Sequence, residues 1–223
     1  MQDPQYVKSA FSRIADKYVV TNHVLSMGTD VLWRKKVGRI VADWAPDKIL
    51  DVATGTGDLA IEMQKACPDA HVTGSDFCEE MLAHASNGGV RETLVVDAMD
   101  MPFDDDSYDV LTVAFGLRNM ASWPDALKEM RRVLKPGGQL LVLDFSLPFG
   151  ILNKPYCFYL NKVLPKIAGA MTGEKDAYEY LAGTIGDFPS GEKMTGMIES
   201  CGFTDAKSDP LTFGVASIYT ATA

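Results

Sequence analysis

Positive charge, histidine and long apolar runs are what this sequence has little of. Its 21 Lys and Arg face 30 Asp and Glu, a formal net charge of −9. A surface of that sign repels phosphate backbones, which argues against a nucleic-acid substrate, and gives no basic grip on anionic lipid. Only 3 histidines and 4 cysteines occur, and Cys67, Cys78, Cys157 and Cys201 form no Cys-x-x-Cys pair or metal-ligand spacing. No metal centre is expected, and the thiols read as reduced and mostly buried, as in a cytoplasmic protein. Met1-Gln2-Asp3-Pro4 has neither the basic nor the apolar part of a signal peptide. The most apolar stretch, Leu147 to Met171, is broken by Asn153, Lys154, Pro155, Asn161, Lys162, Pro165 and Lys166, so it does not span a bilayer.

What is present is an ordinary globular composition, 47% hydrophobic and 23% charged over 223 residues, enough for one domain with a buried core. Phe11, Ile14, Ala15 and Tyr18 share one helical face, and Val31, Trp33, Val37, Ile40, Val41 and Trp44 mark another amphipathic run. Strand and helix then alternate. Strands are expected at Lys48–Ala53, Ala70–Ser75, Thr93–Val96, Tyr108–Ala114 and Gln139–Phe145, with helices at Asp58–Ala66 and Cys78–Ser86. A further helix is capped by Ser122, carries the stripe Trp123, Ala126, Leu127, Met130, Val133 and Leu134, and stops at Lys135-Pro136-Gly137-Gly138. This order implies parallel crossovers in a doubly wound α/β sheet. Between Leu147 and Pro189 there are helical patches but no clear strand. Ser190–Ser200 is the last helix, ended by Gly202. Phe203–Lys207 and Phe213–Thr220, joined by a turn at Asp209-Pro210, pair as an antiparallel terminal hairpin. The sum is a seven-stranded, mostly parallel sheet.

In such sheets ligands bind beyond the carboxyl ends of the strands, where strand order reverses. The segment after the first strand is Asp51-Val52-Ala53-Thr54-Gly55-Thr56-Gly57-Asp58, in which Gly55 and Gly57 let the backbone come close to a ligand. Asp76 ends the second strand, placed for ribose hydroxyls. Asp97-Ala98 ends the third, where a carboxylate and the next backbone N–H meet an adenine edge. Singly, these are a tight turn and solvated loop acids. Together at successive strand ends they describe a nucleoside site. Ala60 stands where a dinucleotide fingerprint wants its third glycine, an allowed substitute, so that motif alone leaves NAD open. Asp51 and Asp58 put negative charge where a pyrophosphate would want positive partners, and they suit a cationic sulfonium and an ammonium.

The segments ILDVATGTGD, GSDFCEEML, DAMDMPFDDDSYDVLTVAFGLRN and RVLKPGGQLLVLDFS resemble the class I S-adenosylmethionine-dependent methyltransferases. FSRIADKYVVTNHVLSMGTDVLWRK, FGLRN, RVLKPGGQLLVLDFS and TGEKDAYEYLAGTIGDFPS narrow the likeness to the ubiquinone/menaquinone biosynthesis C-methyltransferase family. The resemblance implies S-adenosylmethionine as cofactor, contacted by Thr56, Asp76, Asp97 and Ala98, with Gly55 and Gly57 shaping the loop. Ala114 replaces a family serine and contributes backbone only. Further departures are Tyr18-Val19-Val20-Thr21-Asn22 for the family's Tyr-Asp-x-Met-Asn, Asp30 for a histidine and Asp144 for a glutamate.

The implied reaction methylates a ring carbon of a reduced polyprenyl quinol, demethylmenaquinol to menaquinol or the methoxy-benzoquinol of ubiquinone synthesis. Such a site must align the carbon with the methyl group, exclude water and stabilise a developing phenolate. Arg118 and Asn119, just past the fourth strand, are the catalytic candidates. Arg118 acts first as an electrostatic stabiliser and second as proton acceptor, because a guanidinium releases its proton reluctantly. Tyr18 joins them if the N-terminal helices form a lid, and His23 is an alternative base. Leu147 to Met171 offers a bed for the prenyl tail and a shallow peripheral membrane contact for a cytoplasmic protein. The expected layout is N-terminal helices at 1–46, a cofactor core at 47–146, a substrate region at 147–189 and the closing helix and strands at 190–223. An NAD-linked oxidoreductase, a non-catalytic cofactor-binding module and a methyltransferase for another small molecule are the rival readings; oligomeric state is open.

Overall fold

The alternation of apolar strands and amphipathic helices builds β1 (Lys48–Val52), β2 (His71–Asp76), β3 (Glu92–Val95), β4 (Tyr108–Ala114), β5 (Leu134–Phe145), β6 (Thr204–Leu211) and β7 (Ala216–Thr222). In the computed structural model, which describes residues 9, 12, 26, 28–148, 150–163 and 183–223, these form one sheet in the order β3-β2-β1-β4-β5-β7-β6. Strands β1 to β5 pair parallel, and β7 is antiparallel to both β5 and β6. The order reverses between β1 and β4, which sets the ligand crevice at their carboxyl ends. Phe11, Ile14, Ala15, Tyr18 and His23 lie outside the described residues, as do residues 164–182 of the expected substrate region.

Two apolar layers sandwich the sheet. One joins Trp33, Val37 and Val41 of α1 (Asp30–Asp43) and Leu59, Ala60 and Met63 of α2 (Asp58–Ala66) to Ile49, Leu141 and Phe145. The other sets α4 (Trp123–Val133) and α6 (Glu192–Ser200) against Leu50, Val113 and Leu140. In chain order, α3 (Glu79–Gly88) follows β2 and α5 (Asn153–Phe158) follows β5, and Ala85 and Tyr156 join them to the first layer. The cap on α4 forms as read: Ser122 Oγ accepts from the Asp125 amide at 3.4 Å, and Ala126, Leu127, Met130 and Val133 are buried.

Three expectations need correction. In α1, Val31 is 41% exposed, while Asp30 and Arg34 are buried beside Trp33. The pairing of Arg34 Nη1 with Asp30 lets a charged couple occupy that face. Lys135–Gly138 does stop the helix, but it lies within β5: Tyr108 pairs with Leu134 and Val110 with Gln139, so the intervening residues make an irregular step, with Gly137 at φ +80°. Asp209-Pro210 is not the final turn. Both belong to β6, where an edge strand tolerates proline, and Thr212–Gly214 makes the turn.

Gly57 precedes α2 at φ +83°, and a Cβ there would stand 2.5 Å from Val90 Cγ2. At Gly137 φ is +80° but nothing lies within 4 Å. Both alanine variants carry the left-handed cost, about 1–2 kcal/mol. Gly57→Ala adds crowding, so urea denaturation is expected to show it less stable than Gly137→Ala by about 1–3 kcal/mol. Equal losses would mean that Val90 yields freely.

Candidate functional site

Three adjoining cavities sharing Ala53 run along the carboxyl ends of the central strands. One end holds Asp51, Thr54, Thr56, Asp58, Ala114 and Arg34. Asp76 and Phe77 line the middle, and Asp97, Ala98 and Met99 the far end.

Asp51 is buried on β1, where Thr54 Oγ1 donates to one carboxylate oxygen at 2.6 Å and Thr112 Oγ1 to the other at 2.7 Å. Loss of water outweighs those bonds and lifts its pKa to about 6. Asp76 binds two loops at once, accepting the Gly55 amide on Oδ2 and the Cys78 amide on Oδ1, both at 2.9 Å. Burial raises its pKa too, while the Cys78, Gly55 and Phe77 amides pull it down. Each carboxylate oxygen keeps acceptor capacity for another donor. Asp97 is exposed, and its Oδ1 accepts the Met99 amide at 2.9 Å, which shapes the turn that presents Ala98. Thr56 Oγ1 donates to Asp58 Oδ2 at 2.9 Å. The structure therefore brings Gly55, Thr56, Asp76, Asp97, Ala98 and Ala114 together on one cleft. Gly57 adjoins it, but the contacts that demand glycine there are with Val90 and with Ala85 of α3, not with a ligand.

Arg34 was not among the residues singled out from sequence. It reaches the cleft from α1, with Nη2 3.9 Å from Asp58 Oδ2 and its guanidinium carbon 5.7 Å from the centre of the Phe115 ring. Its one sequence signal is position: helical periodicity puts it on the apolar face with Trp33, Val37 and Val41.

The expected catalytic pair divides. Asn119 lines the cleft, but Arg118 is 0% exposed and lines none of the three cavities. Arg118 Nη1 donates to Asp144 Oδ1 and to the Phe115 carbonyl, each at 2.6 Å, while Asn119 Nδ2 donates to that same carbonyl at 3.2 Å. Phe115 adopts φ +57°, a strained value for a bulky residue. The Asp144 that departs from the family glutamate is thus the carboxylate that neutralises Arg118. Tyr18, the third catalytic candidate, lies outside the described residues.

Because burial raises the Asp51 pKa from 3.8 to about 6, the folded chain holds a proton that the unfolded chain releases across that interval. Asp51 therefore makes folding less favourable as pH rises through it, by on the order of 3 kcal/mol in all. Asp51→Asn keeps an acceptor and removes the charge, so its stability relative to the parent should climb between pH 4 and pH 7. Denaturation curves that run parallel across that range would show that Asp51 titrates normally.

The ubiE/COQ5 methyltransferase family model matches residues 1–223. The ubiquinone/menaquinone biosynthesis C-methyltransferase UbiE of Bdellovibrio bacteriovorus is 41% identical, covering 99% of this chain and 97% of that protein. The demethylmenaquinone methyltransferase of Thermus thermophilus is also 41% identical, over 94% of this chain and 97% of its own length. A SAM-dependent methyltransferase of Thermotoga maritima has the same fold at 18% identity, with a TM-score of 0.68 over 96% of this chain and 98% of its own. A whole-length family match, relatives alike from end to end and a shared sheet agree: the chain is a methyltransferase and belongs to the ubiE/COQ5 methyltransferase family.

Proposed function

We propose that this chain transfers the methyl group of S-adenosylmethionine to a ring carbon of a reduced polyprenyl quinol. A demethylmenaquinol is the first candidate acceptor and the polyprenyl-methoxy-benzoquinol the second. The observation that carries the reading is the placement of charge along one cleft. Arg34 is positioned for the carboxylate of an amino acid, Asp51 and Asp58 for its ammonium, Asp76 for ribose hydroxyls, and Asp97 with the Ala98 amide for an adenine edge. Thr56 and the Ala114 backbone flank the amino-acid end. That order of groups matches the order of groups in S-adenosylmethionine, and the acids suit its cationic centres.

The bound cofactor supplies a methyl group already activated by its sulfonium. What remains for the protein is alignment, exclusion of water and stabilisation of the ring oxygen as it loses its proton. Asn119 stands on the cleft for the last task. Arg118, held by Asp144, stands behind the cleft wall and acts through its charge, the electrostatic role put first above. The choice of quinol is supported by relatives whose names carry it.

A lipophilic acceptor also accounts for apolar side chains left in water around this edge. Leu32 is 65% exposed, Ile151 92%, Phe158 64% and Phe213 79%. The Phe213 turn stands at the carboxyl end of β5, because Phe145 pairs with Ala216, and Trp33 Nε1 ties α1 to it through Thr212 Oγ1 at 3.0 Å. These residues suit a shallow contact with the bilayer that carries the acceptor. No helix among the described residues is long and apolar enough to cross a membrane.

Labelled S-adenosylmethionine, offered with each reduced quinol in lipid vesicles, should pass its methyl carbon to at least one of them, and the protein should sediment with the vesicles. A protein that labels neither quinol would sink the substrate reading. Arg34→Ala should weaken S-adenosylhomocysteine binding about 10- to 100-fold, the loss of a charge-assisted bond. Methylthioadenosine, which lacks the amino-acid group, should bind the variant and the parent alike. Equal weakening of both ligands would place Arg34 away from the carboxylate.

A further inference from the structure

Single apolar side chains in water are ordinary on a protein surface, so exposure alone assigns nothing to Phe213. Its backbone adds a second observation. Thr212 and Phe213 hold φ +45° and +57° in succession, a conformation that disfavours residues with a Cβ and suits glycine. Thr212 has a structural reason to be there, because its Oγ1 accepts the Trp33 indole N–H at 3.0 Å. Phe213 is 79% exposed, so its ring gains little packing in return. Strain kept without such a return points to a role outside the chain.

The elements fastened to this turn specify the partner. Trp33 ties α1 to Thr212. Ser146, at the head of the segment that carries α5, donates its Oγ to the Gly214 carbonyl at 2.7 Å and its amide to the Val215 carbonyl at 2.9 Å. On α1, helical spacing sets Leu32, Lys35, Lys36 and Arg39 on the outward face. Lys36 Nζ is held by Asp209 at 2.5 Å, while Lys35 and Arg39 are exposed and make no ion pair among the described residues. Past Ser146 the pattern recurs. Ile151, Lys154, Phe158 and Lys162 are exposed, both lysines are without an ion pair among the described residues, and positions 147–163 contain no acid. Asp43, the acid on the outward face of α1, lies about three turns from Leu32. The net charge of −9 predicts no hold on anionic lipid for the surface as a whole. It is unevenly spread, and on these two elements unpaired cations alternate with exposed apolar side chains. That mixture suits the headgroup layer of an anionic bilayer, which takes both kinds of group at once. A two-fold contact with a second copy would set the same cations against one another.

We infer that the Phe213 turn is an anchor that, with Lys35, Arg39, Lys154 and Lys162, docks this chain on a bilayer of anionic phospholipid. That the bilayer carries the methyl acceptor rests on the function proposed above; docking is measured on vesicles without quinol. The full chain should bind vesicles of mixed phosphatidylcholine and phosphatidylglycerol at least tenfold more tightly than phosphatidylcholine alone, and added salt should weaken the binding. Phe213→Gly removes the ring and relieves the backbone, so binding should fall about tenfold or more while Tm holds or rises. Lys154→Gln combined with Lys162→Gln should cost about tenfold on the anionic vesicles and nothing on phosphatidylcholine. Equal binding to both lipids, or to neither, overturns the inference. So does a Phe213→Gly protein that binds like the parent, or one whose Tm drops, since the ring would then serve the fold. A change of oligomeric state in that variant, with vesicle binding intact, would make the turn a contact between copies instead. Anionic binding by a chain that methylates neither quinol in detergent would uphold the docking surface and overturn the quinol assignment alone.

Discussion

Arg118 and Asp144 meet at 2.6 Å with neither side chain exposed, and the edge of the sheet beyond β4 and β5 is organised around that contact. A charge so far from water is tolerable only when its partner is fixed beside it; removing either partner of such a pair commonly costs about 3–5 kcal/mol. Asp144 also accepts the Arg118 amide at 3.3 Å and its neighbouring Phe145 amide at 2.8 Å. Those bonds hold the turn Leu117–Asn119 onto β5, and with it the strained Phe115 whose carbonyl gathers the side chains of Arg118 and Asn119. The ion pair thus fixes a wall of the cleft without itself entering it.

Three buried aspartates, Asp51, Asp76 and Asp144, are all pushed upward by desolvation, but they are compensated differently. Asp144 has a cation in contact. Asp51 leans on two hydroxyls and Asp76 on backbone amides, so the cleft they line retains an appetite for positive charge. A pyrophosphate would worsen that balance and a sulfonium relieves it. Here is the physical reason behind what family membership decides, between the two cofactors that the Gly55-Thr56-Gly57 turn with Ala60 leaves open.

Much of the frame could be read from residue order because its signals are local. Asp58–Ala66 and Tyr108–Ala114 fall where periodicity puts them, and the Ser122 cap forms. Strand-end acids announce the cofactor cleft because a parallel sheet carries every strand end to one edge. Signals fail where an interaction joins distant residues. Nothing near Arg118 in sequence says that Asp144 will neutralise it. Arg34 looks like a flaw in an apolar stripe until Asp30 is seen to pair with it. Pro210 reads as a turn because proline usually is one, and only its place at the sheet margin makes it a strand residue.

The loops after β1 and β4 approach so closely that a Cβ on Gly116 would come within 2.5 Å of the Ala53 methyl, and Ala53 itself holds φ +51°. Neither residue is therefore an independent choice. A side chain gained at position 116 would need a smaller one at 53, and a larger one at 53 would shut the seam through which both halves of the sheet touch their ligand. Descendants of this chain can change the two positions only in concert, which makes their joint history a record of how the crevice has been kept open.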